Sequence, residues 1–409
     1  MKPVCRGCGA PLGRVIVDLG LSPLSNSYVA PDRVAEGEFF LPLAPLACEN
    51  CLLVQLDAFE TPHNIFSEYA YFSSYSSSWV EHARNYVGIA RDRLGLGPAS
   101  FVAEVASNDG YLLRHFVEAG IPVVGIEPAA NVARVAREAG VPTETLFFGA
   151  ATASVLRERY GPANLAIANN VIAHVPDLHD FVAGFAIILA EDGTWTAEFP
   201  HILRLLADSQ FDTIYHEHFS YFSLLSLEPV LAAHGLKVVD VDRLSTHGGS
   251  LRLWIRRAAS AGAPTKALVE ARAQEADAGL GRLETYERLA DCASAIKRDL
   301  LAFLIDARRS GKTVVGYGAP AKGNTLLNYC GIRSDMLAYT VDRNPVKQGN
   351  FLPGTRIPIH APERIFADRP DYVVILPWNL REEIVAEMAS VRSWGGRFVV
   401  AIPRLEVIA

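Results

Sequence analysis

The chain lacks long hydrophobic runs and an excess of basic residues. No stretch approaches the roughly 20 uninterrupted apolar residues that a membrane helix needs. The opening residues, Met1 to Cys5, are not followed by the apolar run of a secretion signal. The 38 Lys and Arg residues against 45 Asp and Glu residues give a net charge of −7, whereas a nucleic-acid-binding protein needs a basic field. We therefore expect a soluble, cytoplasmic protein with neither a membrane nor a nucleic acid as its partner.

The composition is that of a globular enzyme. Hydrophobic residues make up 50% of the 409 positions and charged residues 20%, which excludes a disordered or fibrous chain. At roughly 150 residues per domain, the length predicts two or three domains.

Cysteine is scarce and unevenly placed: four of the six cysteines form two CxxC pairs near the start of the chain, Cys5 with Cys8 and Cys48 with Cys51. Two residues between cysteines turn both thiolates toward one point, and two such pairs complete a tetrahedral zinc site. A CxxC pair can instead be a redox dithiol, but that motif normally opens a thioredoxin-like helix and occurs once per site. Because four cysteines leave no open coordination position, we predict one structural zinc and no catalytic metal.

An aromatic and serine-rich segment follows at 66–79 and includes Tyr69, Tyr71, Tyr75 and Ser76. It has no helical or alternating pattern. Two interpretations stand equal: a surface loop leading into the next helix, or a polar lid over a sugar-like ligand. The second is attractive because tyrosine combines a flat apolar face with a hydroxyl group.

A strand–helix–strand unit begins the central region, with strands predicted at 101–105 and 123–127. The second strand ends in Glu127, where an acid can accept hydrogen bonds from both ribose hydroxyls. The turn after the first strand reads A-S-N-D-G, so the GxGxxG fingerprint of dinucleotide binding is absent. This pattern favours S-adenosylmethionine, which has ribose and adenine but no phosphate. The plainer alternative is that Glu127 only caps a helix or pairs with a lysine.

The next predicted strands also end in polar residues. Asn169, Asn170 and His174 follow one strand, and Glu198 lies near the end of another. Ligands of open α/β sheets bind at the carboxyl ends of the strands, so these side chains are predicted to face a ligand.

The segment 211–222 concentrates acid/base groups, including Tyr215, Glu217 and His218. Histidine can act as a base near neutral pH, and a neighbouring carboxylate or tyrosine can hold its tautomer. A metal site built on the His-x-His pair and a purely structural polar network are the alternatives. A third metal ligand is not evident, and we favour acid/base chemistry.

A second strand–turn–helix unit lies near the C-terminus, with a strand at 313–317 and a glycine-rich turn at 318–324. Backbone N–H groups of such a turn can hold a phosphate, and Lys322 adds positive charge. Taken alone, the turn could equally serve packing. Arg343 and Trp378 follow later strands and could also contact a nucleotide.

Together these motifs resemble the S-adenosylmethionine-dependent C-methyltransferases that act on nucleotide-linked keto-deoxysugars. The likeness covers nearly the whole chain. Besides the four cysteines, the motifs that carry it are SNDG at 107–110, NNVIAHVPD at 169–177, EFPH at 198–201, FDTIYHEH at 211–218, HGGSLR at 247–252 and GYGAPAKGNTLLN at 316–328. The family usually has glycine where Ala106 stands, and alanine should be tolerated at some cost in cofactor affinity.

The resemblance implies an α/β protein with three parts. These are a zinc module and lid at 1–75, a Rossmann-like methyltransferase domain at 76–262, and connecting helices with a second Rossmann-like, doubly wound domain at 263–409. The implied substrate is a nucleotide-diphosphate keto-deoxysugar, with thymidine diphosphate as the family expectation. We expect a monomer or a small homo-oligomer.

The implied reaction is methylation of the carbon alpha to the ketone, carbon 3 of a 4-keto sugar, through an enolate. His218 matches the family's base, and Glu217 is expected to orient it. The candidates for contacting the enolate oxygen are Tyr215, His174, Tyr69 and Tyr71. The alternatives left open are an O- or N-methyltransferase on a sugar nucleotide and a non-catalytic zinc-ribbon module.

The remaining implied contacts fall into two groups. Those to S-adenosylmethionine are Glu104, Ser107, Asn108, Asp109, Gly110, Glu127, Pro128, Asn131, Asn169, Asn170 and His174. Those to the sugar nucleotide are Tyr75, Ser76, Glu198, Gly318, Lys322, Asn324, Arg343 and Trp378.

Overall fold

The computed structural model describes residues 3–59, 73–75 and 77–408, with the side chains of Tyr75, Ser77 and Ser78 left out. The described chain has the α/β architecture that the sequence predicts. A short-stranded N-terminal module precedes a seven-stranded sheet and then a six-stranded sheet.

The N-terminal module consists of two-residue antiparallel strands. They are β1 (Arg14–Val15), β2 (Leu21–Ser22), β3 (Leu41–Pro42), β4 (Leu46–Ala47) and β5 (Val54–Gln55). One sheet has the order β1-β4-β5-β11, and its last strand, β11 (Ser220–Tyr221), belongs to the central part of the chain. The module is therefore hydrogen-bonded to the segment that follows the Tyr-His-Glu-His run.

The central sheet contains seven strands in the order β12-β13-β10-β9-β6-β7-β8. Their bounds are β6 (Val102–Val105), β7 (Val123–Ile126), β8 (Thr143–Glu144), β9 (Ala163–Asn169), β10 (Leu189–Pro200), β12 (Leu236–Leu244) and β13 (Ser250–Arg257). Five strands that are consecutive in the sheet are parallel to one another: β10, β9, β6, β7 and β8. β13 is antiparallel to both of its neighbours, β10 and β12. β6 and β7 are buried along their whole length, as expected of parallel strands covered on both faces.

Helices cover both faces of the central sheet. They are α1 (Ser77–Leu94), α2 (Leu113–Glu118), α3 (Ala130–Glu138), α4 (Ala150–Tyr160), α5 (Leu178–Ile188), α6 (Ile202–Ala207) and α7 (Leu224–Ala233). One apolar core lies under α4, α5 and α7, and a second lies under α1 and α2. Phe185 of α5 stacks on Trp195 with ring centroids 4.0 Å apart.

The C-terminal sheet has the order β16-β15-β14-β17-β18-β19, parallel except for β19. The strands are β14 (Val314–Tyr317), β15 (Thr340–Val341), β16 (Ile359–His360), β17 (Tyr372–Ile375), β18 (Arg397–Val400) and β19 (Glu406–Ile408). The helices are α8 (Lys266–Asp277), α9 (Leu283–Arg309), α10 (Ala321–Cys330), α11 (Glu363–Asp368) and α12 (Arg381–Glu387). This is the second doubly wound unit that the sequence predicts.

The 27-residue helix α9 joins the N-terminal module to the C-terminal domain. Its buried residues recur every three or four positions, which gives the helix one apolar face. That face belongs to a continuous core with Ile16 and Val17 of the N-terminal module and with the C-terminal sheet. The N-terminal module is thus packed against the C-terminal domain. Of the helices in the described ranges, none is both long enough and apolar enough to cross a membrane.

Candidate active site

A cavity of about 930 Å³ lies where the three parts of the chain meet. The N-terminal module contributes the loop after β2, through Leu24, Asn26, Ser27 and Tyr28. The central domain contributes the carboxyl ends of β6, β7, β9 and β10, and the C-terminal domain contributes the start of α10 together with Lys347. A cavity at the carboxyl ends of parallel strands is the position expected for a ligand of such a sheet.

Glu127, at the end of β7, lines one side of this cavity. Its Oε2 accepts from the Asn108 backbone N–H at 3.0 Å, and its Oε1 accepts from the Ala129 N–H at 2.9 Å. Burial raises the pKa of this carboxyl group, and the two N–H groups oppose that rise. Each carboxylate oxygen can accept a second hydrogen bond, so Glu127 retains the capacity to hold ribose hydroxyls.

Two asparagines at the end of β9, the last residue of the strand and the one after it, have buried polar atoms without a partner in the described part of the chain. These atoms are Oδ1 of Asn169 and both amide atoms of Asn170, and both residues line the cavity. Asn170 also has a positive φ of 56°. Buried amides are normally hydrogen-bonded, so the pair fits a polar ligand in this part of the cavity.

The turn at 106–110 lies beside Glu127 and is tightly constrained. Ala106 and Asn108 have φ angles of 56° and 50°. Gly110 has a φ of 77°, and a Cβ there would lie 2.9 Å from Val141. The turn also binds the backbone of the serine-rich segment: Ser73 N–H donates to Asn108 Oδ1 at 2.9 Å.

His218 and Tyr215 form a hydrogen-bonded pair in the cavity wall. Nδ1 of His218 lies 3.0 Å from the Thr213 carbonyl oxygen, and Nε2 lies 2.8 Å from the Tyr215 hydroxyl. A carbonyl can only accept, so Nδ1 carries the proton and Tyr215 donates to Nε2. Burial lowers the pKa of His218 well below its usual range, with further lowering from His174. The neutral ring, with Nε2 as its acceptor, is the stable form.

Glu217 and His174 face the same space. Nδ1 of His174 donates to the Glu217 carbonyl oxygen at 2.7 Å, and burial lowers the pKa of His174 to about 4. This neutral tautomer presents Nε2 as an acceptor, which does not suit a donor to an enolate oxygen. The carboxyl group of Glu217 accepts from Asn26 Nδ2 at 2.6 Å, and burial raises its pKa to about 7.

The C-terminal domain supplies the cations of the cavity, Lys322 and Lys347. Lys322 donates to Asn379 Oδ1 at 2.8 Å and lies over the Trp378 ring, 4.6 Å from its centroid. Burial lowers the pKa of Lys322, while the nearby Asp212 opposes that change. Lys347 donates to the Ala319 carbonyl at 2.9 Å.

The four N-terminal cysteines converge as the sequence predicts. Their Sγ atoms all lie within 4.8 Å of one another, with Cys5 to Cys51 at 3.4 Å and Cys8 to Cys48 at 3.5 Å. Ligands at about 2.3 Å on a tetrahedral zinc ion are separated by roughly 3.8 Å. The thiolate set and its spacing therefore fit zinc.

Three family models match successive parts of the chain. "Putative zinc binding domain" matches residues 5–66, "Methyltransferase domain" matches 80–241, and "C-methyltransferase C-terminal domain" matches 245–403. A relative, the C-methyltransferase NovU of Streptomyces niveus, is 38% identical over an alignment 411 positions long, which covers 100% of this chain and 98% of NovU. The chain belongs to this family of C-methyltransferases.

Solved structures match at lower similarity. One is the 1,6-didemethyltoxoflavin-N1-methyltransferase of Burkholderia thailandensis with bound S-adenosylhomocysteine, at 18% identity and a TM-score of 0.34, covering 50% of this chain and 94% of that one. Another is the magnesium protoporphyrin IX methyltransferase of Synechocystis PCC 6803 with bound S-adenosylmethionine, at 15% identity and a TM-score of 0.32, covering 44% and 77% of the two chains.

This C-methyltransferase uses S-adenosylmethionine and has a structural zinc site formed by its four N-terminal cysteines. Membership of the family decides against the O- or N-methyltransferase and the non-catalytic module that the sequence left open. The residues present fit the cofactor, because Glu127 can accept from ribose, and Oδ1 of Asn169 and the amide of Asn170, which have no partner among the described residues, can bind a polar group.

Most of the other predicted cofactor residues lie around the turn at 106–110. Pro128 lines the cavity, and Asp109 accepts from Ser74 N–H at 3.2 Å. Glu104 is buried beneath the turn, which raises its pKa well above the usual range. Ser107 and Gly110 are buried there, and Asn131, in the first turn of α3, does not line the cavity.

Several predicted substrate residues are instead occupied by other protein groups. Glu198 is fully buried and accepts from Arg252 at 2.7 Å. Asn324 donates to the Ser25 carbonyl at 2.6 Å. Arg343 lies outside the cavity and pairs with Glu383 at 2.9 Å.

The other predicted substrate residues have mixed positions. Trp378 donates to Asp212 at 2.8 Å. Gly318 has a φ of 88°, and a Cβ there would lie 2.5 Å from Pro377, so close packing requires this glycine. Lys322 lines the cavity. Tyr69, Tyr71 and Ser76, and the side chain of Tyr75, lie outside what the structure describes.

The expected orientation of His218 by Glu217 is not what the structure has. The partners of the His218 ring are Thr213 and Tyr215, and the carboxyl group of Glu217 is bound by Asn26. Residues 216 and 217 form a turn closed by the hydrogen bond from the His218 N–H to the Tyr215 carbonyl oxygen at 2.9 Å. The adjacent side chains therefore have different partners, and proximity in sequence was a poor guide here.

Sequence reasoning missed several lining residues, which are Asn26, Tyr28, Trp79, Tyr111, Phe147, His247 and Lys347. Asn26, Tyr28 and Lys347 have no local motif, and they come from the two parts of the chain that meet the central domain only in the folded protein. His247 had a signal, since it opens the HGGSLR motif. It has a positive φ of 53°, and burial lowers its pKa to about 4.

Proposed function

We propose that this C-methyltransferase methylates carbon 3 of a nucleotide-diphosphate-linked 4-keto-deoxysugar, through an enolate formed at the Tyr215–His218 pair. The observation that carries the proposal is the fixed tautomer of His218, whose Nε2 is an acceptor inside the cavity. A carbon nucleophile beside a ketone requires such a base. The substrate class itself rests on the motif resemblance.

The proton alpha to the ketone passes to the Tyr215 hydroxyl oxygen as the tyrosine's own proton passes to Nε2 of His218. The electron pair of the broken C–H bond forms the enolate double bond, and the ketone oxygen takes the negative charge. Burial makes the imidazolium form costly, but the charge that develops on the substrate offsets this cost. When bound, S-adenosylmethionine supplies an electrophilic methyl group to the enolate carbon.

Glu217 is the proposed donor to the ketone oxygen. Its pKa of about 7 leaves a large fraction of the carboxyl group protonated near neutral pH. A buried carboxylic acid can stabilise an enolate oxygen by donating a hydrogen bond. This role replaces the orienting one that the sequence favoured.

We assign the diphosphate of the substrate to the side of the cavity that the C-terminal domain forms. Lys322 and Lys347 lie there beside the N-terminus of α10, whose first N–H groups carry partial positive charge. Since the chain has a net charge of −7, these local donors would have to hold the anionic substrate. The proposed phosphate site therefore consists of the helix end of the 318–324 turn and Lys347, and not of the whole turn.

The test measures exchange of the alpha proton with solvent. NMR detects this exchange when the enzyme is incubated in D2O with a 4-keto sugar nucleotide and S-adenosylhomocysteine. The wild type should exchange the proton at carbon 3. His218→Asn should lose both exchange and methylation while binding S-adenosylhomocysteine with unchanged affinity. Glu217→Gln should keep measurable exchange, because the amide can still donate a hydrogen bond.

His360→Asn is the matched control, because His360 lies outside the cavity lining and packs on Tyr339. It should exchange and methylate as the wild type does. Near-normal exchange in His218→Asn would overturn the base assignment. Loss of exchange in Glu217→Gln with full exchange in His218→Asn would make Glu217 the base. NMR of the product must also show a new carbon-bound methyl group at carbon 3.

A further inference from the structure

The loop at 23–30 of the zinc module reaches into the cavity beside Glu217. Asn26 Nδ2 donates to Glu217 Oε2 at 2.6 Å, and the Asn26 backbone N–H also favours the ionised carboxylate. These two residues are separated by 191 positions in the sequence. The zinc module thus supplies the hydrogen bond that fixes the carboxyl group of Glu217.

The C-terminal domain holds this loop from the other side. Asn324 of α10, which is 1% exposed, donates to the Ser25 carbonyl oxygen at 2.6 Å. The Tyr28 hydroxyl donates to the Ala319 carbonyl oxygen at 2.6 Å. The residues on both sides of Asn26 are therefore anchored to the start of α10, where the two cavity lysines also lie.

We propose that Asn26 is a positioning residue for Glu217, and that Asn324 sets its placement through Ser25. With one carboxyl oxygen held by Asn26, the other is left to face the substrate. The inference rests on the proposed role of Glu217 as a donor to the ketone oxygen. It gives the zinc module a part in catalysis: through the Asn26 loop, the module fixes a group that acts on the substrate.

Several charged or titratable groups surround Glu217 in the described structure. The titratable groups that line the same cavity are His174, Tyr215, His218 and His247 of the central domain, Tyr28 of the zinc module, and Lys322 and Lys347 of the C-terminal domain. Burial is the largest influence on Glu217 and raises its pKa, whereas the Asn26 hydrogen bonds lower it. Loss of Asn26 should therefore favour the protonated carboxyl group further.

The experiment is a carboxyl 13C NMR titration of the full-length, zinc-loaded enzyme, with the Glu217 resonance identified by its absence in Glu217→Gln. Asn26→Ala should raise the pKa of Glu217 by roughly one to two units, as expected for losing a hydrogen bond to a charged group. Asn324→Ala should shift the pKa in the same direction by less. Asn85→Ala, an exposed position on α1, should leave it unchanged.

Kinetics provide the second readout. If activity needs protonated Glu217, kcat/KM falls as pH rises through its pKa, and this alkaline limb should move to higher pH in Asn26→Ala. At neutral pH, kcat should fall roughly 10- to 100-fold through lost orientation, with S-adenosylmethionine affinity unchanged. A merely structural role would lower the melting temperature without moving the limb.

The outcomes separate the two proposals. An unchanged Glu217 pKa in a folded Asn26→Ala variant would overturn the positioning role of Asn26. An unchanged Glu217 pKa in Asn324→Ala would overturn the proposal that Asn324 of α10 sets the placement of Asn26. Full activity in Glu217→Ala, which has no side-chain donor, together with a shifted Glu217 pKa in Asn26→Ala would sustain the contact while refuting the donor role of Glu217.

Discussion

The Asn108 backbone N–H donates to Oε2 of Glu127 at 3.0 Å, which joins the turn after β6 to the acid at the end of β7. Asn108 makes this contact at a φ of 50°, and Ala106, two residues earlier, has a φ of 56°. The side of the cavity that we predict to bind the cofactor is therefore built on a turn in an unfavourable backbone conformation, held by one buried carboxylate.

Ala106→Gly should stabilise the protein. Alanine in the left-handed region costs roughly 1–2 kcal/mol, and the greater freedom of unfolded glycine offsets part of the gain, so we expect a net stabilisation of about 0.5–1 kcal/mol. Urea unfolding measures this difference. Ala168→Gly, in the buried interior of β9, is the control and should instead destabilise by about 1 kcal/mol. Destabilisation by Ala106→Gly would contradict the assigned strain.

Glu127→Gln should weaken S-adenosylmethionine binding roughly 10- to 100-fold, because a neutral amide replaces a charged acceptor and turns an NH2 group toward a backbone N–H. Isothermal titration calorimetry with S-adenosylhomocysteine gives the affinity. Glu144→Gln is the matched control, since Glu144 ends the next strand and pairs with Arg159 on the surface. Equal affinities of the Glu127→Gln and Glu144→Gln variants for S-adenosylhomocysteine would contradict the prediction that Glu127 binds the cofactor.

Metal analysis should find one zinc per chain. Cys48→Ser should lose the metal and lower the melting temperature by roughly 10 °C or more, because the binding energy of a structural zinc contributes to folding. Cys292→Ser should retain zinc and stability, since Cys292 lies on α9, away from the cluster. Full zinc content in Cys48→Ser would refute the four-cysteine site.

Stability should fall in acid through His174. Its pKa is about 4 in the folded protein and near 6.5 when unfolded. A lowered histidine pKa contributes stability that is present above about pH 6.5 and is lost as pH falls toward 4, about 2 kcal/mol of it between pH 7 and pH 5. His174→Asn should flatten the fall in unfolding free energy over that range. His360→Asn, at a more solvent-accessible site, should flatten it less. An equal fall in wild type and His174→Asn would contradict the prediction.

The amino-acid sequence determined the architecture and much of the chemistry. CxxC spacing located four cysteines whose sulfur atoms converge, and the acid that follows the second central strand, predicted to bind ribose, lines the cavity. These features depend on local periodicity and on residues close together in the chain, which a sequence pattern records directly. The sequence also grouped Tyr215 and His218 in one short segment, and both side chains line the cavity.

Only the tertiary structure decided which side chains are already bound by other protein groups and which line the cavity. Glu198 meets Arg252, and Asn324 meets Ser25 across the chain. Asn26 and Lys347 enter the cavity from separate parts of the protein without any motif. Packing of the zinc module and the C-terminal domain around one apolar core brings these residues together, and such long-range burial leaves no spacing pattern in the sequence.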